Sequence, residues 1–362
     1  MPVWEKTGLT LSCHPVVPEH VALPWDAADD YLLSHASTQN TLTINDRHGA
    51  LSCALSNRAT TVINWHDSAC ACEATRRNHQ SNQLALDAGQ LILSEEQIPA
   101  STRQVLIKLP KNLEQLKFWL QCCRERLPAD TRYLLAGMVK HIPVSWLNWL
   151  EKEAATYRQE QVVRKARLLE LTFTPKPVSE DHWNGYQTDS GLTLSGLPGV
   201  FSRQQHDIGS RVLLEHTDLP FCGKVCDLGC GNGLLGLTLK QAHPQLDVTL
   251  TDDSWLAVRS AQHNARQNQL DVSVRHGDIL TAVHETQDWI VCNPPFHDGH
   301  KQLTNIAERM FEQSAKALVS GGHLLVIANR HLPYAGKLRR LFQTVEVLSA
   351  DSRFSLYLCQ KR

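Results

Sequence analysis

No run of apolar residues in the chain approaches the roughly 20 that a helix needs to cross a bilayer. The opening MPVWEKTGLT lacks the basic-then-apolar layout of a secretory leader. These two absences set the expectation of a cytoplasmic protein with no membrane partner. A charge imbalance is missing too: the formal net charge is -1, so the whole-chain balance points to no partner. A nucleic-acid surface would have to concentrate its basic residues locally. Candidates are Arg158 with Arg164, Lys165 and Arg167; Arg330 with Lys337, Arg339 and Arg340; and Lys361-Arg362. Zinc-type spacing is absent as well. Of 11 cysteines, Cys13, Cys53 and Cys359 stand alone, Cys122 and Cys123 are adjacent, and only Ala71 separates Cys70 from Cys72. Structural zinc sites space paired ligands about two to four residues apart, and none of the 18 histidines completes such a pattern. The thiols are expected to be reduced and buried as small hydrophobes, with no metal bound.

What is present is apolar material: 362 residues at 42% hydrophobic content are ample for two packed domains. From Gly223 the chain reads GKVCDLGCGNGLLGLTLKQAHP. Residues 224–228 predict a short strand, 234–242 have helical spacing, and Gly229, Gly231 and Gly233 lie between them. A strand, a glycine-rich turn and a helix open an α/β nucleotide-binding fold. Glycine permits positive φ and the close approach of a ligand, yet a glycine triplet alone serves a dinucleotide or a tight turn equally well. Two details point away from a dinucleotide. Asp227 puts a carboxylate at the turn, poorly suited to pyrophosphate and suited to a cationic amino-acid end. The next predicted strand, 248–251, ends in Asp252 and Asp253, where an acid can accept hydrogen bonds from both ribose hydroxyls. The plainer role for Asp252 is a charge at the start of the helix that follows. Asp278, after the strand-like 272–275, is either an acceptor for an adenine amine or a turn residue after His276-Gly277.

Further on the chain reads DWIVCNPPFHDGH. Residues 289–292 predict a buried strand, so Asn293-Pro294-Pro295-Phe296 falls at its C-terminal end, the edge of an open α/β sheet where ligands sit. Prolines fix the backbone there and leave carbonyls without competing N–H donors. The Asn293 side-chain oxygen and the Pro294 carbonyl can both accept from one planar NH2 group, and Phe296 offers a face for a planar ring. A simple strand stop would need neither the asparagine nor the aromatic.

The set DLGCGNG, Asp252 and NPPF resembles the S-adenosylmethionine-dependent amino-methyltransferases. Among these it is most similar to the bacterial ribosomal RNA guanine-N2 methyltransferases. Three further stretches support that likeness: LPGVFSRQQHDIGSRVLLEH (197–216), NPPFHDGH (293–300) and LLVIANRHLPYAGKLRRLF (324–342). The RHLPY variant and the basic helix after it resemble the enzymes of the large-subunit (23S) RNA more than those of the small-subunit (16S) RNA. The resemblance covers roughly residues 190–362. It implies S-adenosyl-L-methionine as cofactor, held by Asp227, Gly229, Cys230, Gly231, Asn232, Asp252, Asp253 and Asp278. Phe201-Ser202 would lie near the cofactor, with the DIGS stretch opening a helix against its methionine end. Asp278 stands where the family commonly has asparagine; either accepts from an amine. The catalytic residues implied are Asn293, Pro294 and Phe296, and the partner is ribosomal RNA, with a monomer expected. The same motif set also serves methylation of adenine N6 or of a protein glutamine. A non-enzyme alternative is an RNA-binding ribosome assembly factor.

The first half has neither glycine loop nor NPPF, yet it repeats the second. DSACACEATRRNHQSNQL lies over DSWLAVRSAQHNARQNQL at a shift of 186, Asp67 onto Asp253, pairing Asn78 with Asn264 and Asn82 with Asn268. At related shifts Asp252 falls on His66, GCGNG on NDRHG (45–49), and NPPF on residues 109–112, so the amine acceptor becomes Leu109. The expected architecture is α/β, two tandem Rossmann-like methyltransferase folds, the N-terminal one degenerate. Its boundaries are 1–175 for the degenerate domain, which positions RNA through Lys108 and Lys111; 176–192 for a Pro/Ser/Gly-rich linker; and 193–362 for the catalytic domain.

Overall fold

The computed structural model describes residues 1–58, 61–178, 182–203, 205, 208–295, 301–330 and 332–362. The chain divides into two compact units, Met1–His182 and Trp183–Arg362. In the first, a hairpin of β1 (Val3–Trp4) and β2 (Leu9–Thr10) precedes helix α1 (Ala27–His35). A seven-stranded sheet follows, made of β3 (Thr41–Ile44), β4 (Val62–Trp65), β5 (Leu91–Ile92), β6 (Gln104–Lys108), β7 (Arg132–Met138), β8 (Thr156–Gln159) and β9 (Ala166–Thr172). Helices α2 (Ala50–Ser56), α3 (Ala69–Ser81), α4 (Leu113–Arg126) and α5 (Val144–Glu153) connect these strands.

The second unit repeats the plan. Hairpin β10 (Asn184–Gln187) and β11 (Thr193–Gly196) precedes α6 (Ile208–Leu214). The sheet comprises β12 (Lys224–Leu228), β13 (Asp247–Asp252), β14 (Ser273–His276), β15 (Gln287–Cys292), β16 (Leu318–Asn329), β17 (Thr344–Ala350) and β18 (Phe354–Gln360). Its helices are α7 (Leu234–Ala242), α8 (Trp255–Gln267), α9 (Lys301–Ala317) and α10 (Tyr334–Leu341). Strand order is β14-β13-β12-β15-β16-β18-β17 here and β5-β4-β3-β6-β7-β9-β8 in the first unit, one topology twice. In each sheet the first five strands are parallel, and the last two are joined by antiparallel pairings, so that only the sixth, β18 or β9, runs against the rest. The segment 176–192, read above as a linker, carries β10, which pairs with β11 along its whole length.

Alternation along the central strands explains why both sheet faces are covered. Val225, Trp289, Val291, Leu325 and Ile327 enter one apolar core with Leu234 and Leu237 of α7. Cys226, Leu228, Ile290, Cys292 and Leu324 enter the other with Met310 and Phe311 of α9. Cys222 is the one exposed cysteine, Cys70 is half-buried and the rest are buried, with no disulfide among the described residues. Among the described residues, no helix is long and apolar enough to cross a membrane.

The repeat extends to side-chain detail. Asn78 binds Ser12 through its backbone N–H (2.8 Å) and carbonyl (2.9 Å), as Asn264 binds Ser195 (2.9 and 2.8 Å). Asn82 and Asn268 clamp Thr10 and Thr193 in the same manner. Both asparagine pairs therefore pin the leading hairpin onto a helix, a task independent of any ligand.

Candidate active site

Four parallel strands deliver the sequence-predicted residues to one edge. Leu228 pairs with Thr251 on one side and Cys292 on the other, and Asp252 pairs with His276. The loops after β12, β13, β14 and β15 therefore open side by side at the C-terminal edge, and β12 is the point where strand order reverses. That crevice is the usual ligand site of an open α/β sheet.

The loop after β12 is built on left-handed glycines: φ is 76° at Gly229, 55° at Gly231 and 89° at Gly233. At Gly233 a Cβ would also lie 3.1 Å from Leu237 and Leu250 and 3.2 Å from Ala261, so this glycine lets α7 pack close to the sheet. Gly231 lies beside Phe201, whose carbonyl is 3.6 Å from where a Gly231 Cβ would be; Phe201 is 55% exposed. Asn232 is buried, and its amide donates to the carbonyl of Ser202 (3.2 Å) and to Tyr186 (3.4 Å). Asn232 thereby braces the Phe201-Ser202 segment against the loop. The Cys230 thiol is buried in the α7-side core, and burial first, then Asp252 and Asp227, push its pKa well up.

Asp227 is 1% exposed. Its Oδ2 accepts the backbone N–H of Gly236 at 2.8 Å, while Oδ1 is buried without a hydrogen-bond partner. Burial, and then the charge of Asp252, push the carboxyl up to about 7. Asp252 accepts from the Gly231 N–H through Oδ2 (2.9 Å) and from the Ser254 N–H through Oδ1 (2.9 Å). The helix cap itself is Ser254, which accepts from the Ala257 N–H at 3.1 Å. Asp252 is thus tied to the glycine loop as well as to the helix start. The Asp253 carbonyl holds the His276 ring (2.8 Å), which meets Trp255 edge-on at 5.6 Å. Asp278, expected to face an amine, is buried and ion-paired with Arg309 of α9. No sequence spacing links Asp278 to Arg309, 31 residues away on another element.

At the end of β15, the Asn293 amide nitrogen donates to the hydroxyl of Ser210 on α6 at 3.1 Å. Ser210 is buried. The amide is thereby oriented with Nδ2 toward α6, and Oδ1 is its atom that can accept from an amine. Pro294 is buried and Pro295 exposed, while Phe296 lies outside the described residues. Ser210 belongs to the DIGS stretch, but no spacing rule links it to a residue 83 positions later.

Strand register corrects the internal alignment by one residue. Asn45 (φ 63°) and Gly49 (φ 68°) adopt the left-handed conformations of Gly229 and Gly233, so Ile44 corresponds to Leu228. Ile44 pairs with Ile107 and Leu228 with Cys292. Lys108, and not Leu109, therefore stands where Asn293 stands. His35 and His216 each hold the carbonyl four residues earlier, which equates Asp29 with Ser210. In the first unit these two positions form an ion pair: Lys108 Nζ lies 2.6 Å from Asp29 and 2.9 Å from Asp26. Burial alone would lower the Lys108 pKa, but Asp29 and Asp26 outweigh it and raise it, so the cation is locked in place. The expected phosphate contact by Lys108 fails for that reason. The basic clusters are also partly spent, Lys337 on Glu308 and Glu312 and Arg158 on Glu160 and Glu170.

Comparison with known proteins places both units. Residues 191–358 match the methyltransferase small domain, and residues 3–175 the RLMG N-terminal domain. The chain is 35% identical to the ribosomal RNA large subunit methyltransferase G of Shewanella baltica, over 98% of this chain and 97% of that one. It is 36% identical to the protein of the same name from Ectopseudomonas mendocina, over the full length of both. In fold it is similar to a Thermus thermophilus 16S rRNA N2 G1207 methyltransferase solved with AdoMet and guanosine (TM-score 0.79, 21% identity, 93% of this chain and 92% of that one). The chain belongs to the ribosomal RNA large subunit methyltransferase G family.

Proposed function

We propose that the second unit methylates the exocyclic N2 amine of one guanine in 23S ribosomal RNA, using S-adenosyl-L-methionine, and that the first unit positions the RNA. The residues of the crevice fit such a cofactor. The buried Asp227 Oδ1 without a partner suits a cationic amino-acid end, and the left-handed loop 229–233 leaves backbone open to a ligand. Asp252 and Asp253 would hold the ribose hydroxyls, and Asp278, steadied by Arg309, would lie toward the adenine amine. Asn232 acts at one remove, by holding Phe201-Ser202 over the loop. When bound, the cofactor supplies a methyl group already activated on a sulfonium, so the protein has chiefly to position and to tune.

The observation that carries the reading is the Asn293–Ser210 hydrogen bond. The guanine N2 lone pair is delocalised into the ring and is a weak nucleophile. Accepting the two amine protons on Asn293 Oδ1 and the Pro294 carbonyl localises electron density on nitrogen. That interaction strengthens as the nitrogen turns tetrahedral, which is what accelerates a step. One amine proton then leaves to water as the N–C bond forms. A paired base cannot reach such an edge, so the guanine must be unpaired or flipped, with Phe296 as its stacking platform. The first unit has lost the corresponding groups, with Thr43 for Asp227, His66 for Asp252 and Lys108 for Asn293. Asn293→Ala should lose methyl transfer to 23S RNA while cofactor affinity, read by calorimetry, stays within about twofold; full transfer by that variant would defeat the reading.

A further inference from the structure

The first unit carries an open cavity of about 870 Å³ formed where the β1–β2 hairpin, α1 and the turn before β9 meet. That volume is within the roughly 300–1,000 Å³ typical of pockets for small organic groups. Trp25 lines it, half-buried and stacked on the buried Trp4 at 5.7 Å and 18°. Val3, Leu23 and Val163 are exposed on its lining at 54%, 45% and 47%. Lys6 and Arg164 also line it; the Lys6 ammonium donates to the Asp30 carbonyl (2.5 Å) and to Ser34 Oγ (2.6 Å), whereas 76% of the Arg164 side chain is exposed. The acid between them, Asp30, is already engaged: Oδ1 accepts from Trp4 Nε1 at 2.7 Å and Oδ2 pairs with Arg164 at 3.1 Å. Glu5 is the remaining acid of the lining, set against Lys6, Arg164 and the neighbouring Arg58, which acts electrostatically on Lys6.

The turn at the cavity's edge is unusual for its sequence. Val163 and Ala166 close it with reciprocal backbone hydrogen bonds of 3.0 and 2.8 Å, and the two residues between are Arg164 (φ 49°) and Lys165 (φ 63°). A two-residue turn with both centres left-handed favours Asn-Gly and disfavours long side chains. Here two exposed cations occupy it, a local cost that packing does not explain, since neither is buried. An aromatic face set among cations is the recognition unit of single-stranded nucleic acid.

We propose that this cavity receives an unpaired nucleotide of the RNA substrate, its base against Trp25 and its phosphates against the exposed Arg164 and Lys165 at its edge. The inference rests on the reading that the chain acts on ribosomal RNA. It supplies the RNA contact that Lys108, locked to Asp26 and Asp29, cannot make.

The test uses the full chain, with fluorescein-labelled single-stranded RNA and a duplex of equal length, read by anisotropy across a salt series. Trp25→Ala should weaken single-strand binding roughly 5- to 100-fold, with Trp25→Phe restoring most of it and duplex binding changing little. Arg164→Gln with Lys165→Gln, at exposed positions that leave the core intact, should reduce the slope of log K against log salt by about 1.4. Both should raise the KM for RNA in methyl transfer and leave kcat unchanged. Unchanged affinity, slope and KM in both variants would overturn the proposal, whether the cavity then serves a protein or nothing. Absence of methyl transfer to RNA by the wild-type chain, with Trp25-dependent binding retained, would instead sink the functional reading and leave this one standing.

Discussion

Replacing Asp227 by asparagine isolates the cost of burying a carboxylate in the cofactor loop. The group is buried, has one oxygen on the Gly236 N–H and the other without a partner, and is pushed up to about 7 from an ordinary 3.8. A shift of about three units corresponds to about 4 kcal/mol between the two protonation states. The sign follows from linkage: the folded chain keeps its proton to higher pH than the unfolded chain. Stability from this group is therefore full below pH 3.8 and is lost as pH rises to about 7. Asparagine cannot ionise and keeps an oxygen for Gly236, but its NH2 group is buried at a cost of about 1–3 kcal/mol. At pH 8 the variant should gain a net 1–3 kcal/mol or so, shifting Tm up by roughly 2–10 °C; at pH 4.5 it should be destabilised. The assay is thermal unfolding of the cofactor-free chain at both pH values, the variant against wild type, so that the other titrating groups cancel. A Tm difference that does not change with pH would refute the reasoning. The same variant should bind S-adenosylmethionine more weakly at pH 8, where the lost charge matters most.

Ser210→Ala should lower kcat about tenfold by releasing the Asn293 amide, leave cofactor affinity unchanged, and be largely rescued by Ser210→Thr; single-turnover methylation reads the effect. Lys108→Met strands the buried Asp29 and should destabilise the chain by about 3–5 kcal/mol in denaturant unfolding. Were Lys108 a phosphate ligand instead, RNA affinity would fall and stability would not. Gly233→Ala, at φ 89° and with its Cβ 3.1–3.2 Å from three side chains, should cost about 1–3 kcal/mol by the same measurement.

Much of the second unit's fold was legible because its strands are apolar runs closed by residues that only a few side-chain types can fill. The strand expected at 248–251 is Asp247–Asp252, and that at 289–292 is Gln287–Cys292. The glycine loop announced its positive φ angles, and Asn45 retains one of them in the copy that lost its first glycine. Two kinds of feature stayed hidden. The shift between the halves drifts from 181 at His35/His216 to 186 at Asn78/Asn264, so counting along loops put Leu109 opposite Asn293, and only hydrogen-bonded register restored Lys108. Contacts across elements were equally silent: nothing in the sequence joins Ser210 to Asn293 or Arg309 to Asp278. Strand β10, Asn-Gly-Tyr-Gln, reads as linker because Asn and Gly are poor strand formers. It is held by pairing with β11, which Asn264 and Asn268 anchor in turn.

The proposed chemistry turns on Asn293 accepting the amine of a guanine in 23S RNA. Tritiated-methyl transfer to bare 16S and 23S RNA and to both ribosomal subunits, followed by nucleoside analysis, tests it most directly. Wild type should yield N2-methylguanosine in 23S RNA and Asn293→Ala none. Label in any other nucleoside, or undiminished N2-methylguanosine from the variant, would contradict it.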